Sequence, residues 1–404
     1  MLSKLKNLGP GLLFAGAAIG VSHLVQSTRA GADFGLGFVW ALLLVNLFKY
    51  PFFQFGPRYA TATGETLLDG YKKLGRGVLI AYLILSLATI FTIQTAVTIV
   101  TAGLASSIFG DFISIEMWTI IVLLVCLGLL IVGRYKLLDN LIKIIIVTLT
   151  LSTIVAVSIA LFNNTSHISF NQILPKNGVE IAFLIAFMGW MPAPLDISIW
   201  QSLWSIEKNK ATKSYNTKSA LFDFNVGYMG TITLGLGFLL LGTLVMYKSG
   251  EVFSNSAGVF SSQLIKMYTT NLGNWSYIII GIAAFTTMFS TTLTTLDASP
   301  RAMSKTVELL SNKTSYFNYK FWITLLSLGT IGIFIFLASE MGFLIKVATI
   351  LSFITAPFYA IINYILISGK HTPKKWRPSK FMHGLSISGI LFLIGFSLWY
   401  LATL

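Results

Sequence analysis

The chain has 404 residues, of which 55% are apolar and only 10% are charged, and its formal net charge is +14. This composition lies outside the range of soluble domains and therefore excludes a water-soluble fold. The single cysteine, Cys126, excludes a disulfide framework and a cysteine-based zinc site.

Apolar stretches long enough to cross about 30 Å of hydrocarbon recur along nearly the whole chain, and they predict an all-α integral membrane protein. Eleven membrane helices are expected near residues 8–32, 36–60, 78–106, 117–133, 143–162, 179–203, 223–247, 275–300, 321–339, 341–368 and 383–403. The first stretch continues into the second without a cleavage site, which indicates a retained helix rather than a signal peptide. We expect residues 1–404 to form a single transmembrane domain.

The basic residues are distributed unequally between the two sides of these helices. Most of the 28 lysines and arginines fall in the connecting segments of one side, and few fall in those of the other. The positive-inside rule then predicts a cytoplasmic N-terminus. This pattern explains the net charge without a nucleic-acid partner, so the expected partners are the lipid bilayer and a small solute or ion. We expect a multi-pass protein of the plasma membrane of a bacterium.

Two predicted spans contain helix-breaking or polar sequence in mid-membrane. The sixth is interrupted by the run 189–194, in which Pro192 and Pro194 remove two amide donors. The first carries Gly20, Ser22, His23 and Gln26, at a polar density that lipid does not tolerate. Because a helix can stop inside a bilayer only where its freed backbone groups face protein or a cavity, we expect both breaks to line a site.

The two interrupted spans correspond to each other if the chain consists of two five-helix repeats of opposite orientation. The first repeat covers about residues 8–162 and the second about 179–368, with an extra helix at about 383–403. Paired interrupted helices at matching positions are the best sequence indication of a transport site. The pattern therefore predicts a secondary transporter with its substrate between the first and sixth spans.

Several motifs resemble those of the Nramp family of proton-coupled divalent-metal transporters. They are Gly9-Pro10-Gly11, Arg29 to Gly35, Asn46-Leu47, Arg58 to Gly64, Met191-Pro192, Ser352-Phe353 and Pro357-Phe358. The resemblance implies a LeuT-like inverted repeat, transport by alternating access, a metal cation as substrate and symport with a coupling proton or cation. It also implies a site at the two helix breaks.

The metal-binding motifs of that family are altered in this sequence. Its Asp-Pro-Gly-Asn motif corresponds to residues 20–23 here, so that Gly20 replaces the metal-binding carboxylate and His23 replaces an asparagine. Its Met-Pro-His-Asn motif corresponds to residues 191–194, where Ala193 and Pro194 replace the last two residues. Hard cations prefer oxygen ligands, so we expect an altered substrate.

The candidate substrate-binding residues lie at both breaks. They are Gly20, Ser22, His23, Gln26, Met188, Met191, Ala193 and Asp196. A sparse metal site of His23, Met191 and Asp196 is one interpretation. His23 is also a candidate proton carrier or a hydrogen-bonded structural residue.

Charged side chains inside the predicted spans form a second group of candidates. Lys49 lies well within the second span, where a lysine costs a few kcal/mol unless it faces the protein interior. We expect it to pair with Asp196 or Asp297, either as part of the site or as a structural ion pair. His23 and Asp196 are the other candidates for coupling.

Three functions remain open on this sequence. The first is a metal-ion transporter with an altered site, and the second is a transporter of an amino acid or amine that uses Asp196 and Lys49. The third is an enzyme or a channel. No nucleophile with a base, no HExxH motif and no P-loop lysine is found, so neither catalysis nor a cofactor is expected. Broken helices also suit alternating access better than a continuous pore.

Overall fold

The computed structural model describes residues 8–132, 135–163, 169–212, 215–247, 253–311, 316–337 and 341–403. Within these ranges the chain is helical almost throughout and contains no β-strand. The α-helices are α1 (Pro10–Ala18), α2 (Thr28–Phe34), α3 (Val39–Thr63), α4 (Leu67–Leu74), α5 (Arg76–Phe109), α6 (Ile115–Val132), α7 (Tyr135–Asn163), α8 (Gly178–Trp190), α9 (Ile197–Ala211), α10 (Thr217–Val245), α11 (Ala257–Leu272), α12 (Tyr277–Ser311), α13 (Tyr319–Leu337), α14 (Met341–Ser368) and α15 (Lys380–Leu401).

Seven stretches of the described chain are long and apolar enough to cross a membrane. They are Ser22–Thr63, Arg76–Phe109, Thr217–Val245, Tyr277–Ser311, Tyr319–Phe336, Gly342–Ser368 and Lys380–Leu401. Three shorter apolar helices lie at Ile115–Ile131, Val147–Phe162 and Gly178–Trp190. The all-α membrane fold is therefore confirmed, while the count of eleven crossings and the cytoplasmic N-terminus stay predictions.

Several helices begin at a residue whose side chain satisfies a free amide of the first turn. The Thr66 hydroxyl accepts a hydrogen bond from the Asp69 amide at 3.3 Å, and the Asp69 carboxylate accepts one from the Thr66 amide at 2.9 Å. This reciprocal capping box begins α4. At the start of α8, the Asn177 side chain accepts from the Glu180 amide at 3.0 Å. These short polar sequences set where the helices start.

Both predicted interruptions are present. Helix α1 ends at Ala18, and the chain resumes as a π-helical turn over Ser22–Ser27 before α2 begins. Helix α8 ends at Trp190, Met191 is extended, and the Met191–Pro192 peptide bond is cis. Helix α9 then begins at Ile197. The polar string and the two prolines thus predicted the breaks correctly.

Glycines bring the first span into backbone contact with α10. A Cβ atom on Gly11 of α1 would lie 2.1 Å from the Asp223 carbonyl oxygen of α10. A Cβ atom on Gly31 of α2 would lie 2.0 Å from the Leu239 carbonyl oxygen, also on α10. No side chain fits at such distances, so glycine is required at both positions. Both halves of the first span therefore pack closely on the same helix.

The halves of the sixth span use different packing partners. A Cβ atom on Gly189 of α8 would lie 2.2 Å from the Thr349 carbonyl oxygen of α14. A Cβ atom on Gly56 of α3 would lie 2.3 Å from the Ser198 carbonyl oxygen of α9. Helix α8 therefore packs on α14, whereas α9 packs on α3.

Buried aromatic side chains fill the space around the first break. Phe14 on α1 contacts Phe53 on α3 with ring centroids 5.1 Å apart, and it contacts Tyr228 on α10 at 5.9 Å. All three side chains are almost completely buried. Burial of such rings stabilises the packing of α1 against both helices.

Candidate functional site

A small cavity of about 20 Å³ lies between the two helix breaks. It is lined by Ala17, Ala18, Val21, Ser22, Ile93, Val97, Trp190, Ala193, Pro194, Ile197, Trp200, Thr291 and Thr295. This volume corresponds to about one water molecule. None of the described residues that line it is acidic, and most of the lining is apolar. A cavity is therefore present at the position where the sequence predicts the substrate site.

The Thr291 side chain of α12 fills the space beside Gly20. A Cβ atom on Gly20 would lie 2.8 Å from the Thr291 hydroxyl oxygen and 2.9 Å from its methyl carbon. The same hydroxyl lies 3.1 Å from the Gly16 carbonyl oxygen and 3.3 Å from that of Ile19. Thr291 therefore occupies the position that the resemblance to the Nramp motif assigns to a carboxylate. Its hydroxyl is a hydrogen-bond donor to carbonyl groups at the end of α1.

Ser22 connects the two breaks. Its hydroxyl donates to the Ala18 carbonyl oxygen at 2.7 Å and lies 3.3 Å from the Pro192 carbonyl oxygen of the second break. It also lies 2.6 Å from Nδ1 of His23. One polar side chain thus bonds to groups on both sides of the cavity.

His23 is completely buried, and both of its ring nitrogens have partners. Nδ1 contacts Ser22, and Nε2 lies 3.0 Å from the Thr231 carbonyl oxygen of α10. Gln26 is buried in the same π-helical turn. A metal ion could bind to His23 only after one of its two hydrogen bonds was released.

Met191 and His23 both lie beside Gly235 of α10. The Met191 sulfur and Cδ2 of His23 lie 3.4 and 3.6 Å from the point that a Cβ atom on Gly235 would occupy. Both side chains are fully buried. The structure thus brings together a thioether and an imidazole, two of the three groups of the predicted metal site.

Lys49 places its ammonium group at the C-terminal end of α8. Its Nζ atom donates to the carbonyl oxygens of Met188 at 2.8 Å, Gly189 at 2.7 Å and Ala193 at 3.2 Å. The side chain is completely buried. The last carbonyls of a helix lack helical partners and favour a positive charge. These hydrogen bonds go to carbonyl groups that the break leaves free, and the charges of Lys49 and the expected partner Asp196 also attract each other.

Asp297 lies away from the cavity. Arg301 donates to one of its carboxylate oxygens at 2.7 Å, and the Tyr319 hydroxyl donates to the other at 2.8 Å. It lines a polar cleft of about 490 Å³ at the ends of α4, α9 and α12, on the side predicted to face the cytoplasm. Asp297 therefore belongs to an ion-paired surface rather than to the site between the breaks.

Asp196 directly precedes α9 and is 6% exposed. It does not line the cavity, although its neighbours Pro194 and Ile197 do. One of its carboxylate oxygens, Oδ1, is buried without a hydrogen-bond partner. The structure therefore places Asp196 behind the cavity wall.

Sequence reasoning did not select Thr291, Trp190 or Trp200 as site residues. The hydroxyl-rich run of residues 290–295 was the only signal for Thr291.

Trp190 lines the cavity and donates from its indole nitrogen to the Ser352 hydroxyl of α14 at 2.8 Å. Trp200 lines the cavity one helical turn before Trp204, which lines the polar cleft. Their ring centroids are 6.4 Å apart, so one aromatic pair extends from the cavity to the cleft.

The whole chain is similar to known proteins. A family model described as natural resistance-associated macrophage protein-like, or Nramp, matches residues 11–403. The protein PM0681 of Pasteurella multocida (strain Pm70) is 36% identical over 410 residues, which cover 99% of this chain and 93% of that protein.

Two solved structures share the fold. A crystal structure of a mutant manganese transporter of Eremococcus coleocola has a TM-score of 0.70 at 13% identity and covers 98% of this chain and 94% of its own. Mhp1, a nucleobase-cation-symport-1 family transporter in a closed conformation with bromovinylhydantoin bound, has a TM-score of 0.64 at 14% identity. That match covers 98% of this chain and 91% of Mhp1. These likenesses confirm the predicted LeuT-like fold.

Proposed function

This chain belongs to the Nramp family, and from that membership we propose that it is a secondary active transporter working by alternating access. It is a multi-pass integral membrane protein with the fold of known transporters. Its substrate binds in the cavity between the two helix breaks, which is the position expected for paired interrupted helices. The cavity holds about one water molecule, so the site must widen to admit a substrate.

The substrate differs from a hard divalent cation held by carboxylates, and the observation that carries this proposal is the position of Lys49. Its ammonium group is bonded to three carbonyl oxygens at the second break. Carbonyl oxygens are the ligands that such a cation would take in place of the missing carboxylate. A fixed positive charge at the same oxygens repels a divalent ion.

The cavity wall favours a small organic solute such as an amino acid or amine. Trp190 and Trp200 supply aromatic surface, and Ser22 supplies a hydroxyl group. Sites for small molecules are mostly apolar with a few placed polar groups. The bound bromovinylhydantoin in Mhp1 is an organic ligand in a protein of the same fold.

A soft metal ion is the second candidate, favoured by the positions of Met191 and His23, which both lie beside Gly235. Thioether and imidazole ligands suit softer ions than Mn²⁺ or Mg²⁺. This alternative agrees with the family's metal transport but requires His23 to give up a hydrogen bond.

Binding by the purified protein distinguishes these functions. Isothermal titration calorimetry is performed first with Mn²⁺, Fe²⁺, Co²⁺, Zn²⁺ and Mg²⁺ and then with a panel of amino acids and amines. We expect no heat of binding with Mn²⁺ or Mg²⁺ and saturable binding of an organic solute. Zn²⁺ or Co²⁺ binding that is lost in His23→Ala would instead support the soft-metal site. Tight Mn²⁺ or Mg²⁺ binding would refute the altered substrate.

A further inference from the structure

The two helix breaks differ in the group that bonds to the free carbonyl oxygens of the preceding half-helix. At the second break, the Lys49 ammonium group takes this role at the end of α8, as described above. At the first break, a neutral hydroxyl group, that of Thr291 on α12, contacts the carbonyl oxygens of Gly16 and Ile19 at the end of α1. Both helix ends carry a partial negative charge, which favours a cation. The end of α1 is therefore compensated less completely than the end of α8.

The break in the first span deprives the Gly16 and Ile19 carbonyl groups of the amides that a continuous helix would supply. The Gly20 amide would reach Gly16 in such a helix, but it donates to the Ala18 carbonyl oxygen at 3.0 Å. The His23 amide would reach Ile19, but it donates to the Gly20 carbonyl oxygen at 3.1 Å. Both oxygens therefore keep lone pairs for another partner.

The Thr291 hydroxyl cannot satisfy all of the acceptors around it. Its oxygen lies 3.1 Å from the Gly16 oxygen, 3.3 Å from the Ile19 oxygen and 3.2 Å from the carbonyl oxygen of Thr287, one turn earlier in α12. A hydroxyl group has a single hydrogen, so it donates to one of these oxygens at a time. Lone pairs thus outnumber donors at this point, which is an arrangement that suits a cation.

Ser290, which precedes Thr291 in α12, provides a second observation. Its side chain is buried, and its hydroxyl oxygen has no hydrogen-bond partner. A buried polar group of this kind is unfavourable unless a water molecule or an ion satisfies it. Thr291 also lines the cavity between the breaks, which gives an ion a route to these oxygens.

The oxygens around Thr291 are all uncharged, since they belong to carbonyl and hydroxyl groups. Sites for divalent cations are usually built with carboxylates, and their affinity depends on the charge of the ligands. Neutral oxygens at the C-terminal end of a half-helix can instead coordinate a monovalent cation. The short contacts around the hydroxyl oxygen favour a small one.

We infer that the end of α1 and the facing part of α12 form a binding site for Na⁺. Its ligands are the Gly16 and Ile19 carbonyl oxygens and the Thr291 hydroxyl oxygen, and the Ser290 hydroxyl supplies a further oxygen. When Na⁺ binds, the hydrogen of the Thr291 hydroxyl turns to the carbonyl oxygen one turn earlier in its own helix, and its lone pairs face the ion. The ion gives the first break the positive charge that Lys49 supplies permanently at the second. Its use as the coupling ion rests on the proposed transport function, whereas its binding does not.

The thermal stability of the purified protein in detergent tests Na⁺ binding. The thermal midpoint is measured while NaCl replaces choline chloride at constant total salt. Because a ligand that binds only the folded state stabilises it by mass action, we expect a saturable rise in the wild type. Thr291→Val removes the hydroxyl with little change of volume and should lose this rise. The matched control Thr286→Val removes a hydroxyl that is bonded to a carbonyl oxygen of the same helix, and it should respond to Na⁺ as the wild type does.

Direct binding measurements keep the test decisive if Thr291→Val does not fold. Equilibrium dialysis with radioactive Na⁺ should show saturable binding by the wild type. Thr291→Ser keeps a hydroxyl and should retain this binding, whereas Ser290→Ala should weaken it several-fold. Equal thermal midpoints of the wild type in NaCl and in choline chloride overturn the inference. Undiminished Na⁺ binding in every folded variant among Thr291→Val and Ser290→Ala overturns it as well.

This inference and the proposed function can fail separately. The calorimetric failure of every organic solute would remove the proposed substrate class but would leave saturable Na⁺ binding standing. A protein that binds an organic solute but shows no response to Na⁺ would keep the proposed function and would overturn the Na⁺ site.

Discussion

The Thr291 side chain occupies the space that a side chain on Gly20 would need, since a Cβ atom at Gly20 would lie 2.8 Å from the threonine hydroxyl oxygen. The two residues are 271 positions apart in the sequence but adjacent across the cavity. The first break and α12 are therefore matched in shape, and this match leaves no room for an acidic side chain at Gly20.

Gly20→Asp alone should destabilise the protein. Overpacking a buried position lowers the free energy of unfolding by about 1–3 kcal/mol. Thr291 would also have to give up its hydrogen bonds to the carbonyl oxygens of Gly16 and Ile19. The change is measured as a lower thermal midpoint in detergent, and the double variant with Thr291→Gly should recover part of the loss. Gly77→Ala, at a helical glycine with open space around it, is the matched control. Equal stability of Gly20→Asp and the wild type would contradict the close packing.

Lys49→Met should also destabilise the protein, by about 1–3 kcal/mol, because buried carbonyl oxygens lose their donor. Thermal unfolding in detergent measures the effect. Removal of the ammonium group also frees three oxygens for a cation, so Mg²⁺ or Mn²⁺ should raise the thermal midpoint of the variant more than that of the wild type. Lys346→Met, which removes an exposed lysine in α14, should show neither change. Identical behaviour of the two variants would argue against the role of Lys49.

Ser22→Ala should weaken the connection between the two breaks. The variant removes the hydroxyl group that contacts Ala18, Pro192 and His23. Leaving buried polar groups without a partner lowers the free energy of unfolding by about 1–3 kcal/mol. A thermodynamic cycle with His23→Ala should show non-additive losses, since the two side chains share a contact. Ser158→Ala removes a comparable hydroxyl-to-carbonyl bond on an exposed face and should have little effect. Additive losses in the cycle would show that Ser22 and His23 act independently.

Trp204→Ala should open the cavity toward the polar cleft, because Trp200 lines the cavity, Trp204 lines the cleft and their rings are in contact. The chain contains one cysteine, so a Cys126→Ala background permits a single reporter thiol at Thr295→Cys in the cavity wall. We expect a membrane-impermeant thiol reagent to label this position several-fold faster after Trp204→Ala. Trp275→Ala, at an indole that is 71% exposed, is the control. Unchanged labelling would exclude the indole pair as the barrier.

The sequence predicted the helix breaks because their causes are local. Pro192 and Pro194 remove amide donors wherever they occur, and the polar string after Gly20 is incompatible with lipid in any arrangement of helices. The family resemblance then supplied the correct fold. These features depend on residues that are neighbours in the chain.

The partners of the site residues could not be predicted in the same way. Lys49 was expected to pair with Asp196 or Asp297. Its hydrogen bonds go to backbone carbonyls, which carry no sequence signature. The contact of Thr291 with Gly20 depends on how closely α12 approaches α1. Such relationships arise only from tertiary packing.

The glycine contacts determine which parts of the molecule can move as rigid bodies. Because α1 and α2 both meet α10 backbone to backbone, the first span and α10 should move as one body in spite of the break. The sixth span is different, since α8 is joined to α14 and α9 to α3. The non-helical segment from Met191 to Asp196 therefore lies between two bodies and is suited to act as a hinge. Each swing of this hinge would move Lys49, which is on α3, relative to the carbonyl oxygens of Met188 and Gly189 at the end of α8.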